Sequence, residues 1–162
     1  MKIVTVVGSN KGGKTTVACR LVEQLKASGY KVATLKFFER ASGMDISDKE
    51  TDLHRKAGAD ITIASGVSET AILKKVEERE DLTQLLTYLP ANIDFLVCEG
   101  VVDSRPHRVV AVRGPSEIEQ YLNEKTFAIS GVVASKPFTH RLPIVDVTVN
   151  PEKLSDLVQR LG

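Results

Sequence analysis

Residues 4–16 read Val4-Thr5-Val6-Val7-Gly8-Ser9-Asn10-Lys11-Gly12-Gly13-Lys14-Thr15-Thr16. The apolar run at the start of this stretch is rich in β-branched residues and stops at Gly8, which predicts a strand. Gly13, Lys14 and Thr15 follow with the spacing G-x-x-x-x-G-K-[ST], and an amphipathic helical pattern begins immediately afterwards. Strand, glycine-rich loop and helix in this order are typical of the P-loop, which binds nucleotide phosphates.

The spacing of this loop fits the chemistry of polyphosphate binding. A loop of this length wraps backbone N–H groups around the anion, and the N-terminus of the next helix adds partial positive charge. We expect Lys14 to contact the β- and γ-phosphates and the Thr15 hydroxyl to bind Mg²⁺. The predicted nucleotide-binding residues of the loop are Gly8, Ser9, Asn10, Lys11, Gly12, Gly13, Lys14, Thr15 and Thr16.

A second informative stretch, residues 93–100, is an apolar strand pattern that ends in an acid and a glycine. An acid at the carboxyl end of a core strand beside a P-loop can hold Mg²⁺ through water or orient an attacking water. We therefore predict Glu99 as a metal ligand alongside Thr15, and Lys14 and Glu99 as the catalytic residues.

The rest of the chain alternates between helical and strand patterns. The order of strand, helix and strand over residues 4–36 predicts a right-handed crossover and a parallel sheet. Further strands are predicted over residues 60–65, 70–76, 93–100, 108–113 and 127–135, and helices over 82–89, 116–123 and from Pro151 onward. The expected fold class is α/β: a P-loop NTPase with a mainly parallel sheet and helices on both faces, in a Rossmann-like three-layer arrangement.

Residues 37–56 form a polar stretch that is too long for an idle connection, although a short helix is expected just before residues 57–59. Two interpretations stay open for it. It is either a switch segment near the γ-phosphate and Mg²⁺, or a plain surface loop.

Composition limits the classes of function. The 162 residues are 42% hydrophobic, which suits one nucleotide-binding domain over residues 1–162. Lys and Arg total 22 against 21 Asp and Glu, and aromatic residues make up only 5% of the chain. A net charge near zero and so few aromatic residues argue against nucleic-acid binding.

The sequence also predicts a cytoplasmic protein without membrane contact. No charged leader precedes an apolar signal stretch, and the apolar runs are far shorter than the ~20 residues that span a bilayer. Cys19 and Cys98 lie far apart and match no metal-ligand spacing, so we expect reduced thiols, with Cys98 in a core strand.

With these stretches placed, the chain resembles the molybdopterin-guanine dinucleotide biosynthesis protein B (MobB) family over nearly its full length. The most specific likeness is Lys-Glu-Thr at residues 49–51 followed by Arg-Lys-Ala-Gly-Ala at residues 55–59. The other matching pieces are residues 8–16, 61–65, 98–100, 132–135 and 142–151.

This resemblance implies a small homodimeric protein that binds GTP and has weak GTPase activity. It implies that the protein assists the partner enzyme that attaches GMP to molybdopterin. By the same resemblance, Glu50 and Thr51 occupy the family's acid-hydroxyl pair near Mg²⁺, which adds Glu50 to the predicted metal ligands. The base-binding loop then corresponds to Ala134, Ser135, Lys136 and Pro137.

The chain departs from the family pattern at three places. Phe37 and Phe38 stand where the family usually has histidines, and Val101-Val102 replaces an aromatic residue and lysine after Glu99-Gly100. Lys136 stands where the family often has an aspartate. A guanine base would then be recognised by backbone carbonyls of residues 134–137, by Asp146, or by donation from Lys136 to guanine O6.

A different class of function is also open from the sequence. A P-loop enzyme can transfer phosphate to a small metabolite or ligate one, as dethiobiotin-synthetase-like proteins do. A pocket of convergent polar groups beside the γ-phosphate would favour this alternative, whereas slow turnover that aids a partner would favour the GTP-binding accessory protein.

Overall fold

The computed structural model describes residues 1–38, 49–100 and 105–161. Its strands are β1 (Lys2–Val7), β2 (Val32–Lys36), β3 (Ile61–Ser65), β4 (Thr70–Lys74), β5 (Phe95–Glu99), β6 (His107–Ala111) and β7 (Thr126–Ser130). Its α-helices are α1 (Lys14–Ala27), α2 (Lys49–Lys56), α3 (Leu82–Leu86) and α4 (Pro151–Gln159). Two 3₁₀ helices span Pro115–Tyr121 and Val132–Ser135.

The chain divides into two compact units, the larger made of Met1–Glu39 with Leu82–Gly162 and the smaller of Arg40–Asp81. The prediction of a single nucleotide-binding domain over residues 1–162 stays a prediction.

A five-stranded sheet in the order β2-β5-β1-β6-β7 forms the centre of the larger unit, and all its pairings are parallel. Parallel strands end at the same edge of a sheet. The P-loop at the end of β1 therefore lies next to the ends of β5 and β6, and the register pairs Val6 with Glu99.

Helices cover both faces of this sheet, as the fold class predicts. On one face, α1 and α4 pack through residues such as Leu21, Leu25 and Leu154. On the other face, α3 packs Leu82 against β5, and the first 3₁₀ helix packs Ile118 against β6 and β7. The predicted three-layer α/β arrangement is confirmed.

Both cysteines lie in the larger unit as free thiols. Cys98 is fully buried in β5, as predicted, and burial raises the pKa of its thiol to about 12. Such a thiol is protonated at neutral pH and is therefore unreactive.

The smaller unit contains α2 and a hairpin of β3 and β4, which pair antiparallel with Ile63 opposite Ile72. The predicted short helix before residues 57–59 is confirmed, and Gly58 follows its end with φ at +111°. Of the polar stretch, residues 39–48 lie outside the described residues, and so do Val101 and Val102. No helix among the described residues is long and apolar enough to cross a bilayer.

Three elements differ from the sequence prediction. The strand predicted over residues 127–135 ends at Ser130, because Gly131 takes φ of +82° and Val132 donates its N–H to Gly12 O at 3.1 Å, so the chain turns toward the P-loop. The helix predicted over residues 116–123 is the 3₁₀ helix Pro115–Tyr121. The helix predicted over residues 82–89 is regular only to Leu86 and continues in tight turns.

Candidate nucleotide-binding site

The P-loop lies directly against the end of β6, and two glycines make this close approach possible. A Cβ on Gly8, whose φ is +146°, would lie 1.7 Å from Ala111 O, and a Cβ on Gly12 would lie 2.4 Å from the same oxygen. Gly12 donates its N–H to Ser9 O at 3.1 Å and closes the turn between them. Any larger residue at these two positions would push the loop off the sheet.

Lys14, the first residue of α1, folds its side chain back over the loop. Its Nζ donates to Gly8 O at 3.0 Å and to Ser9 O at 2.9 Å. The ammonium is thus held by backbone oxygens of the loop. A phosphate oxygen is charged and therefore a stronger acceptor, so it can replace them.

Thr15 and Glu99, two of the three predicted metal ligands, meet at the end of β5. The Thr15 hydroxyl donates to Glu99 Oε1 at 2.7 Å. Lys36 approaches the same carboxylate oxygen from β2, with Nζ at 3.3 Å. The Glu99 side chain is only 14% exposed, so the two neighbours largely replace water around its charge.

These oxygens suit Mg²⁺, which takes one or two protein ligands together with waters and nucleotide phosphates. Among the described residues, no group of three or more His, Cys, Asp or Glu side chains converges as a metal site. Glu50, the third predicted ligand, lies in the first turn of α2 in the smaller unit.

Glu117, which no sequence motif predicts, binds the P-loop through Ser9. Its Oε2 accepts the Ser9 hydroxyl at 2.7 Å and the backbone N–H of Arg113 at 3.0 Å, and its Oε1 accepts Arg113 Nε at 3.0 Å. The Ser9 hydroxyl first, and then the Arg113 bonds, lower the pKa of Glu117 to about 2. No motif points to this contact, because Ser9 lies 108 residues away.

A cavity of about 240 Å³ opens beside the P-loop, between the start of α1 and the turn after β7. Its lining residues are Gly13, Thr16, Val17, Gly131, Val132, Ser135, Asp146, Val147 and Thr148. Asp146 accepts the Thr148 backbone N–H at 2.9 Å and the Thr148 hydroxyl at 2.6 Å, both through Oδ1. A fixed carboxylate therefore lines the wall of this cavity.

The predicted base-binding loop reaches this cavity in part. Ser135 lines it and donates its hydroxyl to Val132 O at 2.8 Å. Ala134 belongs to the same 3₁₀ helix, and Lys136 and Pro137 follow it, exposed. Of the remaining predicted loop residues, Asn10 and Lys11 are exposed at the tip of the P-loop.

The chain matches the family model of MobB, molybdopterin guanine dinucleotide synthesis protein B, over residues 3–135. A probable molybdopterin-guanine dinucleotide biosynthesis adapter protein of Bacillus subtilis (strain 168) is 30% identical over 121 residues, which cover 72% of this chain and 68% of that relative.

Solved structures agree with this match. The crystal structure of Bacillus subtilis MobB covers 97% of this chain and 98% of its own, with a TM-score of 0.79 and 25% identity. A MobB homolog from Bacillus stearothermophilus has the same fold, with a TM-score of 0.74 and 21% identity over 99% of this chain and all of its own. Because the family model covers most of the chain, from β1 to the turn that follows β7, this protein belongs to the MobB family.

Proposed function

We propose that this protein binds GTP together with Mg²⁺, hydrolyses it slowly, and acts as an adapter in the assembly of molybdopterin-guanine dinucleotide for molybdenum or tungsten cofactors. The observation that carries the proposal is the 2.7 Å contact between the Thr15 hydroxyl and Glu99, beside the P-loop lysine. It joins the two oxygen donors that a metal-dependent nucleotide site needs at one edge of the sheet.

In this proposal Lys14 exchanges its backbone acceptors for the β- and γ-phosphates, and Thr15 and Glu99 hold the metal. Bound Mg²⁺ supplies the positive charge that neutralises the phosphate oxygens. Glu99, as the base or as the residue that orients water, sets the slow rate of hydrolysis.

We assign the guanine base to the cavity that begins at Gly13. Asp146 lines that cavity and has the chemistry to accept hydrogen bonds from the N1–H and the exocyclic amine of guanine. A site built for those bonds rejects adenine, since adenine has neither an N1–H nor a 2-amino group to donate to the carboxylate. Lys136, exposed on the loop after Ser135, has the chemistry to donate to guanine O6.

The similarity to the Bacillus subtilis relative, a probable molybdopterin-guanine dinucleotide biosynthesis adapter protein, supports a partner in the same pathway. We propose that the partner is the enzyme that attaches GMP to molybdopterin. Free thiols at Cys19 and Cys98 support a reducing compartment, the cytoplasm.

We also propose a homodimer. On the hairpin of the smaller unit, Ile61, Ile63 and Ile72 are 56%, 64% and 66% exposed, which leaves an apolar surface for a second copy. Sedimentation velocity of the parent and of Ile63→Lys tests this proposal. We expect a dimer that the charged side chain weakens, and a parent that sediments as a monomer at micromolar concentration would contradict it.

A competition titration tests the nucleotide assignment. A fluorescent GTP analogue is bound with Mg²⁺, and unlabelled GTP or ATP is added to displace it, with EDTA as the metal-free control. We expect GTP to displace the analogue at a concentration at least about tenfold lower than ATP does. Equal displacement by ATP would refute the guanine assignment and favour a phosphotransferase or ligase of the dethiobiotin-synthetase-like type.

A further inference from the structure

Lys36 is the last residue of β2 and pairs in register with Glu99 on β5. Its Nζ lies 3.3 Å from Glu99 Oε1 and 5.7 Å from the centre of the Phe38 ring. The lysine side chain is 48% exposed, whereas that of Glu99 is 14% exposed. A half-exposed ammonium thus stands at the same edge of the sheet as the P-loop.

We propose that Lys36 is the counter-ion of Glu99 in the metal-free site, that it gives up this contact when Mg²⁺ and nucleotide bind, and that its ammonium then binds the terminal phosphate. This inference rests on the proposed function. It adds a second substrate-binding lysine, outside the P-loop, that senses the γ-phosphate.

One oxygen of Glu99 contacts two neighbouring side chains. Glu99 Oε1 accepts the Thr15 hydroxyl at 2.7 Å and also carries the ion pair with Lys36. A metal held by Thr15 and Glu99 competes for that oxygen, and its two positive charges repel the ammonium. Lys36 and the metal therefore compete for this oxygen.

The side chain of Lys36 can move, whereas the backbone after it is held. Phe37 donates its N–H to Glu99 O at 2.9 Å, so the backbone after Lys36 is tied to β5. The four-carbon stem of a lysine, by contrast, turns freely, and its ammonium is a compact charge without directional demands. We infer that the ammonium changes partner while β2 keeps its place.

The Lys36 ammonium is close enough to reach the terminal phosphate of a bound nucleotide. Because Lys36 Nζ and Thr15 Oγ1 lie 3.3 and 2.7 Å from one oxygen, they are at most about 6 Å apart. In a P-loop the hydroxyl at this position binds the metal that bridges the β- and γ-phosphates. The ammonium is therefore within a side-chain rotation of the terminal phosphate, whose charge gives it a stronger partner than the carboxylate it leaves.

Two binding measurements on Lys36→Met test this inference in opposite directions. We expect Mn²⁺, measured by the electron paramagnetic resonance of the free ion in the presence of GDP, to bind about three- to tenfold more tightly, since its competitor is gone. We expect the preference for GTP over GDP, measured by calorimetry with Mg²⁺, to fall by about three- to tenfold, since the contact with the γ-phosphate is lost.

Lys125→Met is the matched control. It removes the same charge from an exposed lysine just before β7, at the opposite edge of the parallel sheet. Neither measurement should change in this variant, and Lys36→Arg, which keeps the charge, should stay near the parent in both. Circular dichroism and thermal melting verify that each variant is folded.

The two failures are distinguishable. A parent protein that binds neither Mn²⁺ nor guanine nucleotide overturns the proposed function and this inference together. A parent that binds both overturns the inference alone if folded Lys36→Met leaves either measurement unchanged or shifts it in the other direction.

Discussion

Glu99 and Glu117 touch opposite ends of the P-loop in the same way. Each accepts a hydrogen bond of 2.7 Å from a hydroxyl of the loop, Glu99 from Thr15 and Glu117 from Ser9. Glu99 ends a buried strand, where a carboxylate is expected in this fold, whereas Glu117 lies in a 3₁₀ helix without any motif.

The other partners of the two acids differ in kind. Glu99 faces Lys36, a half-exposed side chain that can change partner. Glu117 is bonded by the backbone N–H and by the guanidinium of Arg113, four residues earlier, so its oxygens are occupied from a fixed position. We therefore expect Glu99 to exchange ligands, whereas Glu117 holds the loop in place.

Lys14→Ala should have the largest effect on nucleotide binding, against which the variants of both acids are compared. Lys14 lies on the loop between Ser9 and Thr15, the residues that the two acids contact. We expect nucleotide affinity to fall by at least about 100-fold, since charge-assisted bonds to phosphate are lost. The fold should remain, because among the described residues the ammonium bonds only to the backbone oxygens of Gly8 and Ser9. Calorimetry with Mg²⁺-GTP and a thermal melt check both expectations, and affinity equal to that of the parent would refute the site.

Glu99→Gln tests the exchangeable acid. We expect the variant to bind nucleotide but to hydrolyse it about 10- to 100-fold more slowly, because the amide holds metal-bound water less well than the carboxylate does. Single-turnover hydrolysis of bound GTP measures the effect. If the rate is unchanged, Glu99 is a structural acid like Glu117, and the proposed difference between the two acids is wrong.

Glu117→Gln tests the acid that holds the loop. It should lower nucleotide affinity and leave the hydrolysis rate nearly unchanged, the opposite of Glu99→Gln. The amide still accepts the Ser9 hydroxyl but binds Arg113 less strongly, so we expect nucleotide affinity to fall by about three- to fivefold. The single-turnover rate of the bound nucleotide should stay within about twofold of the parent. A rate loss as large as that of Glu99→Gln would show that Glu117 also acts on the reacting phosphate.

The pH dependence of unfolding sharpens the same contrast. Bonds from Ser9 and Arg113 lower the pKa of Glu117 from 4.5 to about 2 in the folded protein. Because the folded pKa is lowered, the ionised group stabilises the fold fully above pH 4.5, and this contribution is lost as the pH falls toward 2. The free energy of unfolding, measured with urea, should therefore decrease less steeply between pH 5 and pH 2.5 in Glu117→Gln than in the parent. The same pH dependence in both proteins would contradict the contact.

Local signals account for what could be predicted from the sequence. The glycine spacing of the P-loop, the buried strand that ends at Glu99 and the helical periodicities each act within about 15 residues, and together they predict the parallel sheet and its helices. The sequence predicts Asp146 as one of several alternative base contacts. The residue lines the cavity, and its contact with a base stays a prediction.

What could not be predicted depends on contacts between distant parts of the chain. Glu117 gains its role only because the first 3₁₀ helix lies behind the P-loop. Gly131 sits inside an apolar run that is typical of a continuous strand. The strand ends at Ser130 because Gly131 takes a φ of +82° and Val132 donates its N–H to Gly12 O. The pairing of Lys36 with Glu99 likewise follows from the strand order, which periodicity does not reveal.

The strand order also has a consequence for how the chain folds during synthesis. β1 and β2 are the first strands made, yet they do not pair with each other, because β5 lies between them. About 60 residues separate Lys36 from Phe95, so at roughly 5 to 20 residues per second the ribosome needs about 3 to 12 seconds to supply the missing strand. During that interval β1 and β2 lack the strand that pairs with both of them. We therefore expect the proposed nucleotide site to form late, after most of the chain has emerged.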